Sequence, residues 1–266
     1  MAGLVSSQWG ELFGARAHDW AETWEGPSGY GRPAYEFVLE QANVGPGTRV
    51  LDVGCGAGRF AQIAADLGAE VAGLDAAQQL VEIADERVPG ADLRIGDLED
   101  LPWPDDTFAL VTAFNAFQFA RDKVRAVQQA ARVATRAVAI AVPANAEASG
   151  IAQVYAPVFP LFPQEALADL KQTGIFALSA PDMLDDLLQQ ASLTTGVDEQ
   201  VDCPITFTGI DEALRAFLGA GPTMLAVRES GDDAVGNRLR EGLEAFMNDD
   251  GTIVLPAAYR VVIAHV

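Results

Sequence analysis

Basic residues are scarce in this chain. Across 266 residues there are 17 Lys+Arg against 38 Asp+Glu, a formal net charge of -21 at pH 7. So acidic a surface repels phosphate backbones and anionic lipid headgroups, which argues against nucleic acid and membrane surfaces as partners. Cysteine is scarce too. Cys55 and Cys203 stand far apart, and neither has a Cys or His at metal-ligand spacing. Neither a disulfide framework nor a metal site is expected. No apolar run approaches the roughly 20 residues needed to cross a bilayer. The opening segment, MAGLVSSQWGELFGARAHDW, lacks the basic and apolar regions of a secretory signal. A cytoplasmic protein is therefore expected. Half of the residues are hydrophobic, enough for a sizeable core.

The order of elements is the first positive signal. Residues 1–35 carry Trp9, Trp20, Trp24 and Tyr30 among charged residues and glycines, and read as a helical arm packed on the rest. Helical spacing runs from Ala34 to Ala42. Short apolar strands are then predicted at Arg49–Val53, Val71–Leu74, Leu93–Ile95, Ala109–Phe114 and Ala137–Val142. Helices are predicted between them at Phe60–Leu67, Gln78–Arg87 and Asp122–Val133. Strands alternating with helices imply parallel βαβ units and a sheet covered on both faces. After Pro143 the rhythm changes. The segment Ala156 to Pro163 holds three prolines and cannot be regular helix throughout. Helices are expected at Gln164–Thr173 and Pro181–Ala191, late strands at Val201–Phe207 and Tyr259–Val266, and a mainly helical insertion at Asp211–Asp250.

The strongest local signal is Val50-Leu51-Asp52-Val53-Gly54-Cys55-Gly56-Ala57-Gly58-Arg59-Phe60: strand, acid, G-x-G-x-G, helix. Glycines after a first strand let the backbone turn tightly and lie against a ligand, and the next helix offers unpaired N–H groups to it. A nicotinamide-dinucleotide fingerprint is G-x-G-x-x-G; here Arg59 stands where its third glycine would be, which argues against an oxidoreductase. Asp75 ends the second strand, where an acid can accept hydrogen bonds from both hydroxyls of a ribose. Asp97 ends the third strand within Gly96-Asp97-Leu98, and Asn115 follows the fourth.

The stretch from Thr48 to Val142 resembles the class I S-adenosylmethionine-dependent methyltransferases, among them the ubiquinone and menaquinone biosynthesis group. The glycine loop with Asp52 ahead of it is similar to that family's motif I. The segment from Gly96 to Phe108, GDLEDLPWPDDTF, is similar to its phrase between the third and fourth strands. The resemblance implies a Rossmann-like α/β fold with a seven-stranded mixed sheet in the order 3-2-1-4-5-7-6. The last strand is antiparallel, helices lie on both faces, and a helical cap is added. It implies a single domain over 1–266 with an N-terminal arm at 1–35, a cofactor-binding core at 36–143, and cap segments at 144–178 and 209–252 on the substrate side. It also implies S-adenosylmethionine as cofactor and S-adenosylhomocysteine as product. The cofactor would be held by Asp52, Gly54, Cys55, Gly56, Gly58, Asp75, Ala76, Gly96, Asp97, Leu98, Asn115 and Ala116. Asp97 would receive the adenine amino group, and Leu98 would pack on the ring.

Many relatives place a histidine pair after the fourth strand. Here those positions read Phe117-Gln118-Phe119, and a glutamine amide takes no proton at neutral pH. The general-base candidate is then His18 in the arm, with Gln118 orienting an acceptor oxygen. Trp20, Trp24, Phe117, Gln118, Tyr155 and Phe159 are the candidates for a pocket holding a small-molecule acceptor. The missing base leaves room for a protein that binds S-adenosylmethionine without transferring methyl, as a cyclase, a rearrangement catalyst or a binding module. Nothing in the pattern specifies an oligomeric state, the acceptor or the methylated atom.

Overall fold

The computed structural model describes residues 4–266 except Ser28 and Pro181. Residues 1–3 and 28 of the expected arm, and the first residue of the expected helix at Pro181–Ala191, lie outside the described residues.

Two helices open the chain, α1 (Ser6–Gly14) and α2 (Ala17–Thr23), and α3 (Arg32–Gln41) follows. Then β1 (Arg49–Val53), α4 (Arg59–Asp66), β2 (Glu70–Asp75), α5 (Gln78–Arg87), β3 (Asp92–Ile95), β4 (Phe108–Phe114), α6 (Lys123–Val133) and β5 (Ala134–Pro143) form the alternating half. The second half begins with α7 (Gly150–Tyr155), a 3₁₀ segment over Ala156–Leu161, α8 (Gln164–Thr173) and α9 (Met183–Gln190). It continues with β6 (Thr194–Asp202), β7 (Ile205–Phe207), α10 (Ile210–Gly219), α11 (Thr223–Ser230) and α12 (Asp232–Glu244). The chain closes with β8 (Ile253–Leu255) and β9 (Ala258–His265).

Seven strands form one sheet in the order β3-β2-β1-β4-β5-β9-β6. Counted along the sheet's own strands this is the expected 3-2-1-4-5-7-6, and β9 runs antiparallel to both neighbours. The pleat explains how one strand serves two cores. On β5, Ala137, Ala139 and Ala141 join one hydrophobic cluster, while Val138, Ile140 and Val142 join the other. On β9, Tyr259, Val261 and Ile263 face the first, and Val262 and Ala264 the second. Strands buried on both faces read as continuous apolar runs, which is how β1, β4 and β5 were visible in the sequence. The first face is covered by α3 and α4 through Ala34, Val38, Phe60 and Ala64. The second is covered by α6 and α9 through Ala126, Val127, Ala130, Leu184 and Leu188.

The expected strand at Val201–Phe207 is corrected by the structure. The sheet strand there is β6, Thr194–Asp202, whose sequence TTGVDEQVD is mostly exposed at the sheet edge. An edge strand covered on neither side has no apolar run to reveal it, and charge on it blocks further pairing. The run after Pro204 forms β7 instead, paired antiparallel with β8 in a separate two-stranded sheet. The arm is helical as expected. Trp9 and Leu12 of α1 pack with Met224 of α11. Just after α2, the Trp24 indole donates to the Ala216 carbonyl of α10 at 2.7 Å.

Candidate functional site

The carboxyl ends of β1, β2 and β4 open into one cleft, walled by the arm and by residues of the second half. With its open mouth it holds ≈ 1390 Å³ of empty space, more than the roughly 300–1,000 Å³ typical of a single small-ligand pocket.

The glycine loop forms its floor. Gly58 starts α4 at φ 80°, where an added Cβ would meet the Ala84 methyl of α5 at 2.9 Å. Its work is close packing of two helices, and it does not line the cleft. Gly56 does line it, at φ 53°, and a side chain there would collide with the Glu25 carboxylate. Asp75 is fixed by two amides: Gly56 N–H donates to Oδ2 at 2.9 Å and Ala77 N–H to Oδ1 at 2.8 Å. Burial pushes its carboxyl up to about 6 against those two bonds. Each oxygen keeps an accepting lone pair. Asp52 lies deeper, receiving the Thr112 hydroxyl at 2.8 Å, and burial pushes it up to about 8. Asn115 sits at φ 52° just past β4. Its amide donates to the Tyr259 hydroxyl and receives the Gln118 amide at 3.1 Å.

Of the expected cofactor residues, the cleft gathers Asp52, Gly54, Cys55, Gly56, Asp75, Ala76, Gly96, Leu98, Asn115 and Ala116. Asp97 lies at the rim, exposed, where it accepts the Ser6 hydroxyl at 2.7 Å and the Glu99 amide at 2.9 Å. Burial holds the Cys55 thiol well above its ordinary range, which leaves it a filler of the turn and no nucleophile.

The expected acceptor residues divide. Trp20, Trp24 and Tyr155 line the cleft. Phe117 does not: it is fully buried in the core beneath the sheet. The sequence placed it next to a ligand-facing asparagine, but the turn over 117–119 points it into that core. Gln118 is likewise buried off the cleft, donating to Asn115 and to the Ile175 carbonyl. It can steady Asn115 and cannot reach an acceptor. Phe159 is 48% exposed on the outside and packs on Phe162. His18 is corrected as well. It is exposed and borders a separate shallow hollow with Arg16, Asp19 and Glu82. The arm does fold over the cleft, but the face of α2 that carries His18 looks outward.

The sequence reading missed Glu25. This carboxylate is 7% exposed and sits on the N-terminus of α4. Ala57 N–H donates to its Oε1 at 2.9 Å and Arg59 N–H to its Oε2 at 3.1 Å. The Trp20 indole adds a bond at 2.6 Å, and Arg87 pairs with it at 3.4 Å. A negative charge on exposed helix N–H groups is favourable. Here the charge comes from the protein's own arm, 32 residues from the loop, so no local spacing revealed it. Tyr30, Tyr35 and Tyr259, from three distant segments, complete the far wall.

Comparison with known proteins agrees with this geometry. Residues 51–141 match a family model described as a methyltransferase domain. An uncharacterized methyltransferase of Bacillus subtilis, YcgJ, is 37% identical over 90 residues, 32% of this chain and 36% of that protein. A ubiquinone biosynthesis O-methyltransferase of Coxiella burnetii is 28% identical over 127 residues, 44% of this chain and 54% of that protein. The matched stretch thus spans between about a third and a half of these relatives' lengths. The crystal structure of YcgJ superposes with a TM-score of 0.57 at 18% identity, over 87% of this chain and 97% of that one. At that identity the likeness speaks for the fold.

Proposed function

We propose that this chain, which carries a class I methyltransferase domain over residues 51–141, transfers a methyl group from S-adenosylmethionine to a small-molecule acceptor. The domain and its fold imply that cofactor. The carrying observation is the convergence of the glycine loop, Asp75 and Asn115 on one cleft.

The residues present fit the cofactor. Asp75 has spare acceptor capacity on both oxygens and suits the paired hydroxyls of a ribose. Ala76, Leu80 and Leu98 give an apolar slot beside it for a base. When bound, the cofactor supplies a sulfonium methyl, already a strong electrophile. The protein's contribution is then to hold the acceptor in line and keep water out, the proximity part of catalysis. No Lys, Arg or His is among the described residues lining the cleft. Tyr30, Tyr35 and Tyr259 are all pushed up by burial, so none of them is a base. The acceptor gives up its proton before or after transfer without a histidine. The two free, buried cysteines support a cytoplasmic setting. Among the described residues no helix is long and apolar enough to cross a membrane.

Calorimetric titration with S-adenosylmethionine, S-adenosylhomocysteine and NADH tests the cofactor. Micromolar binding of the two sulfur ligands, lost in Asp75→Ala, is expected; binding of NADH alone would overturn the reading. Release of S-adenosylhomocysteine during acceptor screening separates transfer from binding without transfer.

A further inference from the structure

Two buried hydrogen-bonding groups on the cleft wall have no partner: the indole N–H of Trp9 and the hydroxyl of Tyr30. They are 3% and 9% exposed. The other indoles show what this fold normally does. Trp20 donates to Glu25, Trp24 to the Ala216 carbonyl and Trp103 to Asp92. Tyr155 and Tyr259 are paired too, with Thr223 and Asn115. Two further buried polar atoms lack partners, Gln118 Oε1 and Ser179 Oγ, and neither residue lines the cleft. Buried donors are nearly always satisfied. Two left open on the wall of one cleft are groups waiting for a ligand.

Their position separates them from the cofactor residues. Trp9 packs edge-on against Phe119, just past β4, at 4.8 Å. Tyr30 stacks on Tyr259, the partner of Asn115, at 4.9 Å. Neither hydrogen-bonds to the glycine loop or to Asp75; the arm residue that does reach the loop is Glu25. The chemistry of the pair narrows the ligand. An indole N–H only donates, so it needs an acceptor oxygen. The cleft supplies no described cation to balance an anion, and it holds Glu25, Asp52 and Asp75, which repel one. An amine finds no open acceptor at either handle.

Resting on the methyl-transfer reading, we propose that Trp9 and Tyr30 form the acceptor subsite and that the acceptor is an uncharged, oxygen-bearing ring compound whose carbonyl or hydroxyl oxygens they receive. The aromatic walls then bury its apolar faces, and the two handles fix its rotation in the plane.

The test uses the full chain and a matched set of probes. S-adenosylhomocysteine is titrated by calorimetry into the wild type, Trp9→Phe and Tyr30→Phe, and similar affinity is expected in all three. With that ligand saturating, 2-naphthol, 2-naphthoic acid, 2-naphthyl phosphate and 2-naphthylmethylamine are titrated in turn. The naphthol binds the wild type about tenfold or more tighter than the three charged probes, and each Phe variant weakens it about tenfold. Equal binding of any charged probe, or no binding of the naphthol, overturns the proposal. So does unchanged naphthol affinity in both variants. Loss of S-adenosylhomocysteine affinity in the variants reassigns the handles to the cofactor and also overturns it. A wild type that binds no S-adenosylhomocysteine overturns the underlying methyl-transfer reading itself.

Discussion

The two walls of the cleft are built by different rules. The cofactor side comes from consecutive βα units, with the working residue of each at a strand end: Gly54 and Gly56 after β1, Asp75 after β2, Asn115 after β4. Spacing along the chain fixes them. The acceptor side is assembled from α1, α2, the segment before α3, α7 and β9, which are far apart in sequence. Its residues are aromatics that the same chain also uses by the dozen as ordinary core. A wall made from one motif is readable in order; a wall made from tertiary contacts is readable only once folded.

That contrast can be broken, and the largest effect is expected where the two rules collide. Phe117 stands next to the strand-end asparagine yet is fully buried in the core. Phe117→Ala is expected to cost about 3–5 kcal/mol of stability, measured by urea unfolding, with the affinity of the remaining folded protein for S-adenosylhomocysteine unchanged. A loss of affinity without loss of stability would return Phe117 to the ligand wall.

Glu25 joins the two walls. Glu25→Ala uncovers the loop amides and leaves Arg87 without its buried partner. A loss of about 2–4 kcal/mol is expected, again from urea curves, with faster proteolysis at residues 15–30 than in the wild type. If cleavage in the arm is unchanged, the carboxylate is not what ties it down.

Asp52 sharpens the comparison through pH. Burial lifts its carboxyl from 3.8 to about 8, so the folded protein keeps a proton that the unfolded chain has already lost. Where the native state binds more protons, stability falls as pH rises. The fall runs from about 4 to about 8 for Asp52 and ends near 6 for Asp75. Across that window the thermal midpoint of ligand-free wild type should drop relative to Asp52→Asn, whose amide oxygen can still receive Thr112. Parallel midpoints would mean that Asp52 is ionised in the fold. The smallest effect belongs to His18. His18→Gln should leave stability within about 0.5 kcal/mol and leave the pH profile of turnover unmoved. A lost ionisation in that profile would place the histidine back at the chemistry.

The legible part of the molecule follows from these differences. Buried central strands and left-handed glycines leave marks that any sequence shows, so the sheet order and the loop were accessible. The edge strand β6 was not, because half of its residues face solvent and carry charge. Glu25 was not, because a carboxylate in an acidic chain looks like every other until its amides are seen. Trp9 and Tyr30 stood out as aromatics in the arm, but only their missing partners separate them from packing.

The arm is held by two kinds of tether. Outer ones pair Arg16 with Asp232 and Arg215 with Asp19 and Glu22, all partly exposed; the inner one is Glu25 on the loop amides. Dissolved ions weaken exposed pairs over a screening length of about 8 Å at physiological strength and reach buried ones far less. Ionic strength therefore acts on the hinge side of the arm and spares its lock. Since the arm walls the route by which spent ligand leaves, added salt quickens the exchange of ligands at the mouth before it loosens their grip, and the rate of turnover becomes a property of the surrounding electrolyte as much as of the site.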